Sequence, residues 1–534
     1  MRVLRPTACC CSLLAIFALL TGCDPSRPAG RSSQPQTTTD PDAPRPNVLL
    51  IVWDTVRSDH LTPYGYARPT TPALAEWARD ARIYEDCLTP GIPTVPAHAS
   101  LFSGLSAVEH GAYNDLPTLS DALPMLAESL RGAGYATLLF SANPHVSAEN
   151  NFHRGFDVHE HPWSRTFMQR ALEIARQKLN PADRSTELAG RMRTGQLGPW
   201  HVKAAGELAQ QCVTDWLAAK PADKPFFIFL NYMEAHRPLI PAERFRQRFM
   251  TPEQVAASYR VDRTWVSLWS YNFRLREYSD EEIELTRATY DAALAELDEL
   301  FASLLAALRE RGELDDTLVI LTSDHGEHLG EHHMLDHQFS VYNELARVPL
   351  IVHYPARFAA GRDAAPVILT DLHSTILRLA GAPYRAESPS LLAPPPAPRM
   401  RIVSYPAPLL DAMERVRKVH PGFDPTPWQR RLHAIYLDNL KYIWGSDGRA
   451  ELYDLAADPR EQRDLRAERP ADAQRLHEAL RAHFRSLRPP PPPVTAASRS
   501  LEQQRMIEGM GYAAKPGEAL SDNEAGTDIG PYKP

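Results

Sequence analysis

The sequence predicts an α/β fold: a doubly wound, mostly parallel sheet flanked by helices, followed by a smaller C-terminal α+β subdomain. Three observations predict it. Continuous apolar runs of strand length recur, helical patterns alternate with them, and several runs end in a carboxylate or a histidine. The first run, Asn47–Asp54 (NVLLIVWD), shows no polar alternation, as a strand covered on both faces should. Similar runs follow at Ala136–Ala142, Phe226–Tyr232, Leu318–Asp324 and Pro349–Tyr354. Between them the pattern predicts helices over Leu116–Ala133, Ala205–Ala219 and Ile283–Arg311. His161–Pro225 and Pro241–Glu282 read as largely helical insertions without a motif. The α/β unit is placed at residues 46–390, and a proline-rich linker, Leu392–Pro398, leads to a subdomain at 399–488. There Lys441–Trp444 and Ala450–Leu455 read as a hairpin and Ala471–Arg485 as a helix. Pro489–Pro493 opens a mostly irregular tail, 489–534.

The N-terminus reads as an address. Arg2 and Arg5 precede the apolar run Leu13–Leu20, which is too short to span a bilayer. Leu20-Thr21-Gly22-Cys23 resembles a bacterial lipobox, which implies a lipoprotein signal peptide over 1–22 and lipidation at Cys23. An ordinary secretory signal with a chance cysteine is the alternative. Residues 23–45, rich in Pro, Ser, Thr and Gln, read as a flexible tether. The expected location is the bacterial cell envelope, on a membrane through the lipid anchor, facing periplasm or exterior. A net charge of −8 and the lack of basic runs argue against nucleic acid as a partner. Of six cysteines, Cys9, Cys10 and Cys11 leave with the signal, so Cys87 and Cys212 remain beside Cys23. One bridge between them is possible, and their spacing does not decide it.

Ligands of doubly wound sheets bind beyond the carboxyl ends of strands. Three runs deliver chemistry there: Asp54, the Glu234/His236 segment, and Asp324-His325. Thr94 lies on a loop, Pro90–Ala97, that enters a helix expected near Ala99, and backbone N–H groups at such a start favour an anionic group.

The segments PNVLLIVWDTVRSDHLTPYGY from Pro46, TVPAHASLFSG from Thr94, LTSDHGEHLGEH from Leu321, ARVPLIV from Ala346 and ELYDLAADPREQRDL from Glu451 occur in one order, with Met510-Gly511-Tyr512 as a last echo. Over roughly residues 46–515 they resemble the sulfatase family of the alkaline phosphatase superfamily. The resemblance implies an alkaline-phosphatase-like fold and one divalent metal on Asp54, Asp324 and His325, with Thr94 Oγ1 completing the shell. Two carboxylates, an imidazole and an alkoxide suit zinc or manganese, while the family resemblance points to calcium. The second aspartate that favours calcium in the family is replaced here by Thr55.

The family's pattern reads C/S-x-P-x-R-x-x-x-x-T-G, and its cysteine or serine is oxidised to formylglycine. Here the first residue is Thr94 and the arginine is His98. A threonine would give a ketone rather than an aldehyde, so Thr94 reads as a nucleophile in its own right, activated by the metal. Its phosphoryl or sulfuryl ester lacks the hemiacetal exit, so water or another alcohol must displace it. By resemblance His236 meets the ester oxyanion and His337 stands where relatives keep a histidine; His98, His236 and His337 are the catalytic candidates for donating to the developing charge or protonating the leaving oxygen. The family's Lys and His after the Gly-Tyr-x-Thr strand are missing, and Asn143 or His145 is expected to contact substrate in their place. His328 and His332 share i, i+4 spacing, for which a solvated helical face is the plainer account than a second metal.

The implied activity is metal-dependent hydrolysis of a sulfate or phosphate ester carried by a small molecule, glycan or lipid. The alternatives are a phosphoryl-headgroup transferase or phosphodiesterase acting on envelope lipids or glycans, and a catalytically silent surface binding protein.

Overall fold

The computed structural model describes residues 37–198, 201–393 and 398–492. The predicted signal peptide, Cys23, most of the tether, and the tail from residue 493 with Met510-Gly511-Tyr512 lie outside the described residues.

The central sheet has eight strands: β1 (Asn47–Trp53), β2 (Arg82–Tyr84), β3 (Ala136–Ser141), β4 (Val158–Glu160), β5 (Phe226–Tyr232), β6 (Thr317–Thr322), β7 (Leu350–His353) and β8 (Gly361–Asp363). Their spatial order is β8-β2-β7-β6-β1-β5-β3-β4. The five neighbours from β6 to β4 pair in parallel, while β7 runs antiparallel to both β6 and β2. The sheet is therefore mostly parallel, as predicted, with the Pro349–Tyr354 run as its reversed strand. Three short strands, β2, β4 and β8, escaped the sequence pattern.

Alternate residues of β1 face two separate cores. Leu49, Ile51 and Trp53 pack with helices α2 (Gly206–Ala219) and α4 (Asp280–Glu310). Val48, Leu50 and Val52 pack on the other face with α1 (Thr94–Ser103) and the helix Thr370–Leu379. That two-sided burial explains why the strands read as unbroken apolar runs, each side chain contributing about 1.5–3 kcal/mol. Helix α4 starts at Ser279, whose hydroxyl accepts from the Glu282 N–H while the Glu282 carboxylate accepts from the Ser279 N–H.

The helix predicted over Leu116–Ala133 is only Leu126–Gly132, because Pro117 and Pro124 forbid continuous helix upstream. Cys87 and Cys212 are both free and buried. Among the described residues no helix is long and apolar enough to cross a membrane.

The C-terminal part is an antiparallel meander of β9 (Arg401–Tyr405), β10 (Leu432–Leu437), β11 (Leu440–Gly445) and β12 (Ala450–Asp454), with α5 (Pro470–Ser486) packed on it. It grips two loops of the α/β unit. Ile92 N–H donates to Ser404 O at 2.8 Å and Ser404 N–H to Pro90 O at 3.1 Å, tying down the segment before Thr94. Lys441 Nζ donates to Val341 O at 2.7 Å and pairs with Glu461, whose Oε2 accepts from Asn343 N–H at 2.6 Å. His337 stands just upstream of that second loop.

Candidate active site

The register of four strands places their carboxyl ends side by side. Trp53 is level with Tyr232, Val52 with both Asn231 and Thr322, and Ser141 with Asn231. The next residues along each strand, Asp54, Asp324, Asn143 and the Glu234–His236 segment, therefore open onto one edge.

Asp54 is fully buried. Its Oδ2 accepts from Asn143 Nδ2 at 2.9 Å and Asn231 Nδ2 at 3.3 Å, while Oδ1 has no hydrogen-bond partner. Asp324 Oδ1 accepts from the backbone N–H of His325 at 2.9 Å and of Thr55 at 3.2 Å. Its Oδ2 makes no hydrogen bond and lies 3.3 Å from His325 Nε2. His325 Nδ1 donates to Gly326 O at 3.0 Å, which leaves Nε2 unprotonated, its lone pair 3.5 Å from Thr94 Oγ1. The ligand atoms of Asp54, Asp324 and His325 all lie within 4.8 Å of one another. Burial raises the pKa of both carboxyls, with mutual repulsion adding to it for Asp54. Burial also holds His325 down at about 3, so it stays a neutral imidazole. Two orphaned carboxylate oxygens and a neutral nitrogen facing one point form a donor set that fits a divalent cation.

Thr55, where the resemblance led one to look for a second aspartate, has φ +61°, a strained conformation for a β-branched residue. Its N–H holds Asp324, its hydroxyl turns back onto Asp54 O at 2.7 Å, and Tyr290 OH donates to its carbonyl at 2.8 Å. It supports the cluster through its backbone.

Thr94 is the first residue of α1, not a loop residue ahead of a helix at Ala99. Its hydroxyl is buried, with Oγ1 3.5 Å from His325 Nε2. The expected cluster of free N–H groups is not there: Pro96 has none, and Val95 N–H donates to Asn114 Oδ1 at 3.3 Å. His98, one turn on, directs Nδ1 to Thr94 O at 3.0 Å and stands 3.6 Å from Asp324 Oδ2, leaving Nε2 without a partner.

His337 is the charged imidazole of the site. Its Nδ1 lies 2.8 Å from Glu327 Oε2 and 2.9 Å from Asp336 Oδ1, and its Nε2 makes no hydrogen bond. Burial works against the charge, but the two carboxylates overcome it and hold the pKa up at about 10. The ring lies between those of His325 and His236, with centroids 4.8 and 4.9 Å away and planes tilted by 31° and 53°. Glu327, Asp336 and His337 also have metal-capable spacing. Arg237 Nη2 already pairs with Asp336 at 2.7 Å, and the His337 proton supplies a second positive charge, so this group is an ion-pair network.

His236 and Lys203 complete the cluster. His236 Nδ1 and Lys203 Nζ both donate to Arg237 O, at 2.5 and 3.0 Å, and lie 3.4 Å apart. Burial and the neighbouring Lys203 charge keep His236 neutral. Burial, helped by Arg237, lowers Lys203 to about 7 against the pull of Asp54. Lys203 was missed in the sequence because it arrives from the motif-free insertion. It brings a cation into this cluster.

The remaining expectations divide. Asn143 reaches the site, where its amide group holds Asp54 at 2.9 Å and its Oδ1 accepts from His145 N–H at 3.0 Å. His145 is buried beside it. His328 and His332 do not form a solvated helical face: His328 is a buried strand residue bonded to Ser340 Oγ at 2.7 Å, and His332 stacks on Tyr342 at 3.9 Å.

Comparison with known proteins bears on this geometry. The sulfatase family profile matches residues 46–382. Arylsulfatase K of Bos taurus is 24% identical over 501 residues, covering 88% of this chain and 86% of its own length. Choline-sulfatase of Rhizobium meliloti is 25% identical over 477 residues, covering 83% and 86%. Among solved structures, the phosphonate monoester hydrolase of Agrobacterium radiobacter superposes with a TM-score of 0.63 at 21% identity, over 82% of this chain and 95% of that one. The chain belongs to the sulfatase family, a family of metal-dependent enzymes that hydrolyse ester bonds.

Proposed function

We propose that this sulfatase-family protein hydrolyses a sulfate or phosphate ester with the Thr94 hydroxyl as its nucleophile. One observation carries the reading: a buried Thr94 Oγ1 lies 3.5 Å from the unprotonated Nε2 of His325, in a cluster with two carboxylates that have orphaned oxygens. Asp54, Asp324 and His325 would hold one divalent cation, which when bound lowers the pKa of the Thr94 hydroxyl and offsets charge on the ester. Zinc or manganese matches this set better than calcium, which takes about six to eight oxygens.

The Thr94 alkoxide, its proton lost to water, attacks phosphorus or sulfur in line. A bond forms from Oγ1 to that centre, the bond to the leaving oxygen breaks, and His337 Nε2 gives its proton to the departing oxygen. Lys203 carries positive charge beside the non-bridging oxygens, while His236 and His98, whose Nδ1 protons go to backbone carbonyls, border the ester without donating to it. Water then attacks the Thr94 ester and gives a proton to the now neutral His337, and Thr94 leaves as alkoxide. Because a threonine ester has no hemiacetal to collapse, this second displacement is obligatory.

Similarity to arylsulfatase K and choline-sulfatase supports sulfate esters, and a threonine that cannot become formylglycine supports phosphate esters. We further propose that lipidation at Cys23 holds the enzyme on an envelope membrane, supported by the Leu20–Cys23 sequence.

Initial rates on matched aryl sulfate, phosphate monoester and phosphodiester, with zinc, manganese or calcium added after chelation, test the reading. Metal-dependent turnover that Thr94→Ala abolishes is expected. Turnover that survives Thr94→Ala refutes the nucleophile. A chain that binds these esters but turns none over is the silent binding protein instead.

A further inference from the structure

We infer that a cationic cavity beside Lys203 and Arg237 is a second anion site, one that takes a sulfo, phospho or carboxyl group on the alcohol portion of the substrate. The inference rests on the ester-hydrolase reading and names the substrate class: esters that carry another negative charge.

The cavity has a volume of about 90 Å³, room for an oxyanion and not merely one water. Arg191, His201, Lys203, Arg237, Arg263 and Arg415 line it, with Glu187 as the carboxylate among its walls. Lys203 and Arg237 belong also to the catalytic cluster, so the two sites share a wall.

Arg263 is the decisive group. It is 4% exposed, and none of its Nε, Nη1 and Nη2 atoms has a hydrogen-bond partner. A buried guanidinium normally has a partner, because an uncompensated buried charge is costly. Its nearby carboxylates are committed elsewhere. Asp183 Oδ1 accepts from Ser185 N–H at 2.7 Å and Ser185 Oγ at 2.6 Å. Asp262 serves Thr264, Ser267 and Arg276, the last at 2.9 Å. Arg246 adds further positive charge nearby. Five donors that no protein group satisfies therefore border a cavity of like sign, and a bound oxyanion would satisfy them with charge-assisted hydrogen bonds.

The test uses the full chain carrying Thr94→Ala, so that probes are bound and not consumed, and isothermal titration. The probes are a hexose monosulfate, the same sugar with a second sulfate, and the same sugar monosulfate with a carboxylate replacing its hydroxymethyl group. The second anionic group should tighten Kd by about tenfold or more. Adding Arg263→Gln should erase that gain and leave the Kd of the simple monosulfate unchanged. Whichever doubly charged probe gains identifies the preferred anion. No gain from either probe, or an equal loss for all three with Arg263→Gln, overturns the inference. Arg263→Gln should also melt no lower than its parent, since it removes an unpartnered cation; a lower melting temperature would make Arg263 a structural residue and overturn it too. Should the wild-type chain hydrolyse no ester, the Thr94 reading falls while the Kd comparison still decides the cavity.

Discussion

Replacing Glu327 by glutamine should lower the alkaline limb of the pH–rate profile. His337 sits at about 10 against an ordinary 6.5. That gap of about 3.5 units corresponds to roughly 5 kcal/mol favouring the imidazolium. Burial opposes it, so the charge is held by Asp336 at 2.9 Å and Glu327 at 2.8 Å. Asp336 is also paired with Arg237 and stays ionised, its pKa driven well below the carboxylate range. Glu327 is pushed up by burial, and its attraction for the imidazolium is second to that of Asp336. Its loss should therefore lower His337 by about 1–2 units, or about 2 kcal/mol. Glutamine keeps an acceptor for Nδ1–H, which isolates the charge. The raised pKa means the proton donor is present at low pH and disappears as pH rises through about 10, so the variant loses it earlier. The same sign governs stability: this pair's contribution is full below about 6.5 and is lost as pH rises through about 10. The assay is kcat/KM against pH for an alkyl ester, whose leaving oxygen needs a proton, and for a nitrophenyl ester, whose leaving oxygen does not. An unchanged limb for the alkyl ester, or equal shifts for both esters, would refute His337 as the proton donor.

Chelation should abolish turnover and lower the melting temperature, and zinc or manganese should restore both in the wild type but not in Asp54→Asn, as read by calorimetry. Lys203 is charged below about 7 and loses its charge as pH rises through that value. Wild-type KM should therefore climb above neutrality, while Lys203→Met should show a KM raised about tenfold at pH ~6 and flat with pH. Lys441→Met strips the partner from a fully buried Glu461 and should cost about 3–5 kcal/mol in denaturant unfolding, with Lys441→Met/Glu461→Gln recovering part of it.

How much was legible in the sequence follows from what each element buries. Strands β1, β3, β5 and β6 are covered on both faces and so read as apolar runs with Asp54 and Asp324 just past their ends. Strands β2, β4 and β8 are only three residues long, too short for a period to show. The metal-capable trio was readable because each member adjoins such a run or sits in a dense polar motif. Lys203, Arg237 and Glu327 were not read as one electrostatic unit, because their partners lie far along the chain and only folding joins them. The 2.9 Å bond from Asn143 to Asp54 was not legible for a related reason: a short amide at a strand end serves a ligand or a neighbouring carboxylate equally well. The supporting grip of Ser404 and Lys441 on the two active-site loops has no local signature at all.

The most direct test of the central claim is tandem mass spectrometry of the peptide bearing Thr94, from resting enzyme and from enzyme acid-quenched during turnover. An unoxidised threonine at rest and a phosphoryl or sulfuryl group on Thr94 in the quenched sample are expected. An oxidised residue at rest, or an adduct that settles on another side chain, would contradict that claim.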